Sequence, residues 1–211
     1  MRLGLYKDPE DVKSDSKAGD IAKNIAYLLK SQGKTEEALS AIEKAQKMFP
    51  KDLDLILQKA DIYFELGQTD KFGELMQQAV EQDPTNPQLY FNLGVINYNQ
   101  GNYDKSKEYY LKAIELKDDY ADAYGGVASV ILIGEKSIVD EMNNSTDFDR
   151  YDQLLAERKQ ILKEALPYLE KEDNYERTVD TVQTLMNIYA TLEMTDKEQE
   201  FSALYKELRD Q

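Results

Sequence analysis

The sequence predicts an all-α chain, a solenoid built from stacked antiparallel helix pairs. Three observations carry that reading. Four windows align without gaps when the chain is cut at Gly19, Leu53, Pro87 and Ala121, so one unit of 34 residues repeats. Inside each window the apolar residues recur at helical spacing rather than alternating. The composition suits a packed but modest core: 41% of residues are hydrophobic and 32% charged, too apolar for an acidic disordered tail and too polar for a membrane protein.

The elements follow in order. Residues 1–18 (MRLGLYKDPEDVKSDSKA) fit no window and read as an irregular leader, the stub of a larger upstream region. From 19 onward each window holds two helices. A small residue recurs in the first helix, at Ala26, Ala60, Gly94 and Ala128, and another in the second, at Ala45, Ala79 and Ala113. Small side chains in fixed columns let two helix backbones approach closely. Gly33, Gly67 and Gly101 fall between the helices, where ending the first one calls for a positive φ. Pro50 and Pro84 stop the second helix of the first two windows, and Asp118 takes that place in the third.

The fourth window opens normally with Tyr124, Val127 and Ala128 but has no turn glycine in its column. Its apolar pattern runs on through Ile131, Ile138 and Met142 to a polar break at residues 143–147. A second helix then runs from Phe148 through Tyr151, Leu155, Leu162 and Ala165 to Leu169. Both helices of this pair are therefore expected to be extended by about three turns. Ile133, Val139, Leu154 and Ile161 lie off the two stripes that would zip this arm together. They either pack on the fifth pair or give a second contact surface over residues 134–160, open to self-association. A degenerate fifth pair covers Val179–Leu192 and Thr195–Arg209, with Leu185, Tyr189 and Phe201 in core positions and Glu193 where glycine is usual.

The third window, PQLYFNLGVINYNQGNYDKSKEYYLKAIELKDDY, sets Tyr90, Leu93, Gly94, Gly101, Tyr103, Tyr110 and Ala113 in a pattern of aromatic, Leu-Gly, turn glycine, aromatic and Ala. On these residues, 19–211 resembles a tetratricopeptide repeat protein with units starting near 19, 53, 87, 121 and 179. The resemblance implies a right-handed α-solenoid of about five helix-turn-helix repeats, the fourth with elongated helices. The KEALPYLEKE stretch of the long-armed repeat is similar to bacterial tetratricopeptide proteins exported to the cell envelope. That implies a periplasmic or envelope location and leaves a cytoplasmic one open, with no signal peptide in this chain.

The same resemblance implies that the first helix of each pair lines a concave groove. It would place Lys23, Tyr27 and Lys30, then Leu57, Asp61 and Phe64, then Phe91, Val95 and Tyr98, then Ser129 and Leu132 in that groove. Leu57, Phe64, Phe91, Val95 and Tyr98 make a stripe more apolar than a solvated face needs, unless some are half-buried between helices. One subclass of the family holds chaperone C-terminal carboxylates with a Lys, Asn, Asn, Lys, Arg clamp. Here Lys23 matches the first element, but Tyr27 and Gln58 stand for the two Asn, and Gln88 and Asn92 for the last Lys and Arg. Chaperone-tail binding is not expected.

Several function classes are disfavoured. The chain has no Cys and no His, which removes disulfides, thiolate and imidazole metal sites, and Cys or His catalysis. A formal net charge of −15 repels phosphate backbones and anionic membranes and favours neutral or basic partners. The longest apolar run, Val127–Ile133, is far short of a membrane span. Asp118-Asp119 and Asp147/Asp149/Asp152 fail as calcium loops because Tyr120 and Tyr151 occupy ligand positions; helix capping explains them better. Asn143-Asn144-Ser145-Thr146 contains glycosylation sequons, but Ser145, Thr146 or Asp147 also suits a cap for the next helix. Tyr103, Tyr109, Tyr110, Tyr120 and Tyr124 sit near core columns, so packing is their expected role. No catalytic, cofactor or metal motif emerges. The expected function is a non-enzymatic scaffold that binds a protein or peptide, with a glycan- or ligand-capturing component of envelope nutrient uptake as the alternative.

Overall fold

A computed structural model describes residues 16–210. Among them every regular element is an α-helix: α1 Ser16–Ser31, α2 Thr35–Met48, α3 Leu53–Glu65, α4 Thr69–Gln82, α5 Pro87–Asn99, α6 Tyr103–Leu116, α7 Ala121–Leu132, α8 Glu135–Asn144, α9 Phe148–Tyr175, α10 Val179–Thr191 and α11 Thr195–Arg209. The ten expected helices are present, and one of them is split into α7 and α8. Helix α1 starts at Ser16, inside the stretch read from sequence as an irregular leader. The rest of that leader, residues 1–15, lies outside the described residues.

The chain forms two compact units, one ending at Leu89 and one beginning at Tyr90. In the first, α1 pairs with α2 and α3 with α4, while α3 also packs on both α2 and α1. Its core joins Ala22, Ala26, Ala38, Leu39, Ile42, Ala45, Leu55 and Ile62. In the second unit α6 packs on α7, α7 and α8 both pack along α9, α9 on α10, and α10 pairs with α11. The main contact between successive pairs within a unit therefore sets a second helix against the first helix of the next pair.

The small-residue columns are where the helices meet. Ala26, Ala60 and Ala128 are fully buried, as are Ala45, Ala79, Ala113 and Ala165. At Gly94 the column is tighter still. A Cβ there would lie 2.5 Å from the Tyr110 ring, and the Gly94 carbonyl accepts a 2.8 Å hydrogen bond from the buried Ser106 hydroxyl.

The turns inside the regular pairs share one geometry. Gly33, Gly67 and Gly101 have φ of 72°, 67° and 76°. At each, the following N–H reaches back to close the helix: Lys34 to the Leu29 carbonyl, Gln68 to Tyr63 and Asn102 to Asn97, all within 2.9 Å. This is the Schellman closure, which satisfies carbonyls that the helix end leaves open. Glu193 repeats it in the fifth pair, with φ 60° and Met194 N–H donating to the Tyr189 carbonyl at 2.9 Å.

The fourth pair departs from that rule and corrects the expectation of one unbroken first helix. Ile133 (φ −57°, ψ −33°) and Gly134 (φ −79°, ψ −15°) interrupt the helix yet stay right-handed. Without a positive φ the chain does not fold back. It goes on as α8 until Asn144, and only then reverses. Asp147 caps α9 by accepting from the N–H groups of Asp149 and Arg150. Helix α9 is 28 residues long, twice the 14 of α2, and carries Pro167 in its interior.

Candidate functional site

In the first unit the expected groove residues lie on α1 and α3, which pack together. Lys23 is the most constrained. Its ammonium is 2.8 Å from Asp54, 3.2 Å from Asp20 and 3.5 Å from Asp52. The hydrogen bond to Asp54, with help from Asp20 and Asp52, holds its pKa well above the usual lysine range. Lys23 thus bridges the middle of α1 to the start of α3 and has spent its charge on this chain's own carboxylates. Lys30 makes a similar bridge to Glu65 at 3.0 Å.

Beside these bridges a narrow cleft of about 100 Å³ opens, lined by Ala26, Tyr27, Lys30, Ile42, Gln58, Asp61 and Ile62. The Gln58 Oε1 is buried there without a hydrogen-bond partner among the described residues. Partial burial raises the Asp61 pKa, against the opposing pull of Lys30. Tyr27, at the cleft, and Phe64, on α3, are 66% and 65% exposed. Phe64 is steadied by the Phe72 ring at 5.2 Å, and Leu57 is half-buried.

In the second unit the expected residues divide. Phe91, Val95 and Tyr98 are half-buried on the cluster formed by Tyr110, Val127 and Val130. The Phe91 ring lies 5.6 Å from Tyr110 and 5.2 Å from Tyr120, and Tyr98 meets Tyr103 edge-on at 5.6 Å. Much of the apolar stripe read from sequence is therefore packing. Phe91 also joins Ser129 and Leu132 in lining a cavity of about 350 Å³.

The rest of that cavity was not foreseen from the sequence. Leu169 and Glu172 come from α9, Asp122 and Gly125 from α7, and Asp180, Thr181 and Thr184 from α10. Glu172 presses on the α7 backbone, where a Cβ on residue 125 would fall 2.5 Å from its carboxylate. Burial, then the neighbouring negative charges of Asp122, Asp173 and Glu176, push its pKa up to about 7. No local sequence signal marks Glu172, because its surroundings depend on where the long α9 ends relative to α7 and α10.

Family models for tetratricopeptide repeats match residues 29–76, 60–101 and 87–120. Residues 29–120 are tetratricopeptide repeats. A tetratricopeptide repeat-containing protein, trd-1 of Caenorhabditis elegans, is 35% identical over 113 residues, 53% of this chain and 13% of the relative. The mouse protein O-mannosyl-transferase TMTC1 is 37% identical over 126 residues, again 56% of this chain and 13% of the relative. The tetratricopeptide chain thus spans about an eighth of the length of these curated relatives. Among solved structures, MamA superposes with a TM-score of 0.65 at 19% identity, covering 91% of this chain and 92% of that one. YrrB, described as a TPR protein with an unusual peptide-binding site, gives 0.59 at 18% identity, covering 91% and 89%. These likenesses establish the all-helical tetratricopeptide solenoid fold. Among the described residues, no group of three or more acidic residues could hold a metal ion, and no helix is long and apolar enough to cross a membrane.

Proposed function

We propose that this tetratricopeptide chain is a non-enzymatic scaffold that holds a protein or peptide on the first helices of its repeats. The observation that carries the reading is the α1–α3 face. Two aromatic side chains stay largely exposed there, Tyr27 at the cleft and Phe64 on α3, and the cleft holds a buried amide oxygen at Gln58 with no hydrogen-bond partner among the described residues. Exposed aromatics and unmet polar atoms are what an interface completes. The peptide-binding site ascribed to YrrB, on the same fold, fits this use. The chaperone clamp does not fit, since Lys23 is consumed by three aspartates. Capture of a glycan in envelope nutrient uptake has less support, because the chain offers no Trp for sugar stacking.

The test is a peptide-display selection followed by the double substitution Tyr27→Ala and Phe64→Ala. Interface anchors commonly cost about 2 kcal/mol or more on truncation, so affinity for selected peptides should fall about thirtyfold. The melting temperature should move little, because both residues are exposed. Selected peptides that bind the double variant unchanged would falsify this reading. Self-association through residues 134–160 belongs to the same proposal. Phe148, 88% exposed at the start of α9, is the side chain to replace in a sedimentation comparison.

A further inference from the structure

We propose that the cavity between α7, α9 and α10 receives the side chain of a lysine from a partner segment. This deepens, and rests on, the scaffold reading above. The cavity has an apolar floor of Phe91, Leu132 and Leu169, suited to a four-carbon stem, and carboxylates from three different helices: Asp122 of α7, Glu172 of α9 and Asp180 of α10. Its volume of about 350 Å³ accommodates such a side chain.

The identity of the occupant follows from what the lining lacks. The charges that push the Glu172 pKa up are Asp122 from α7, and Asp173 and Glu176 from α9 itself. Asp180 on α10 adds a further acid to the wall. The cations close by in sequence are engaged elsewhere. Arg177 is held by Asp173 at 2.7 Å, and Lys171 stands 5.7 Å over the Tyr175 ring. A cation from outside would supply the missing charge.

A metal ion is the wrong cation, since the acidic groups among the described residues are not arranged to share one. An ammonium on an aliphatic stem answers both the spread of the carboxylates and the apolar floor. It is also preferred to a guanidinium, whose flat fork suits one carboxylate approached in plane, whereas three rotatable N–H donors suit acids arriving from three helices.

The probe is N-acetyl-lysine amide, with N-acetyl-norleucine amide as the uncharged isostere. Titration is followed through the backbone amide signals of Gly125, Thr181 and Thr184. Lysine amide should shift all three and norleucine amide should not. With the Glu172 pKa near 7, lowering the pH through that value protonates the carboxyl and should weaken binding. Glu172→Gln should lower the affinity about tenfold at pH 8 and remove most of the pH dependence between 6 and 8, the loss expected for one charge-assisted contact. This variant should fold at least as well as the parent at that pH, because it removes a half-buried charge set among other negative ones; a thermal melt checks it.

Equal shifts from both amides, no shift from either, or an unchanged lysine response in Glu172→Gln would each overturn the inference. The two readings fail separately, because Tyr27 and Phe64 lie in the other unit. If selected peptides depend on those aromatics but lysine amide is ignored, the cavity assignment falls and the scaffold face stands. If lysine amide behaves as expected but the peptides ignore Tyr27 and Phe64, the reverse holds.

Discussion

At Glu193 the repeat's geometry overrides the residue's own preference. Its φ of 60° is the value that glycine supplies at positions 33, 67 and 101, and a side chain with a Cβ adopts it at a cost. The surroundings hold it there through the Met194 N–H bond to the Tyr189 carbonyl and the 2.6 Å contact between its own carboxylate and Lys159. That carboxylate is fully exposed, so the ion pair returns little. Glu193→Gly relieves the backbone and loses only the surface pair. The variant should melt about 2–4 °C higher than the parent. A lower melting temperature would mean that the Lys159 bridge between α9 and the last turn matters more than the strained backbone.

At the scale of elements, what was legible in the sequence follows from what is local. The alanine columns and turn glycines act through close approach and positive φ, properties of single residues, so they gave the regular pairs their helices and turns. The break at Ile133–Gly134 is different. Gly134 sits beside the turn column but adopts φ −79°, and nothing local decides between folding back and continuing. What favours continuing is the long α9, along which both α7 and α8 pack. The groove residues were half legible for a related reason: helical spacing shows that Phe91 and Tyr98 share a face, but only the neighbouring helices decide that the face is mostly covered.

The same logic settles what Leu154 does. It lies off the stripes read from sequence yet is only 1% exposed, so the arm buries it rather than offering it to a partner. Leu154→Glu should therefore destabilise the protein by about 3 kcal/mol or more, since the change combines lost apolar burial with a desolvated carboxylate. A melting temperature about 10 °C lower is the expected reading. A variant that keeps its stability but changes its oligomeric state would make Leu154 a contact residue instead.

For the whole molecule the governing quantity is charge. The chain carries 41 acidic against 26 basic residues. Its ion pairs lie mostly at the surface, as at Lys112–Glu115 and Lys197–Glu200, where solvent screening leaves each contributing little. Salt weakens those pairs, but it also screens the repulsion among the 15 excess negative charges. Raising sodium chloride from 0.01 M to 1 M shortens the screening length from about 30 Å to about 3 Å. At the longer length many like charges on a chain of this size feel one another; at the shorter length only direct pairs survive. The repulsive excess should win, so the melting temperature should rise with sodium chloride. Chloride is the right anion for this test, because sulfate would also strengthen apolar burial. Across the same series, the association rate of a lysine-containing partner peptide should fall, since screening removes the long-range attraction that steers a cation inward. A melting temperature that falls with salt would show that the bridges at Lys23 and Lys30, and the 2.8 Å pair between Arg158 of α9 and Glu135 of α8, outweigh the net repulsion. An association rate indifferent to salt would show that the field of the excess charge does not reach the binding face.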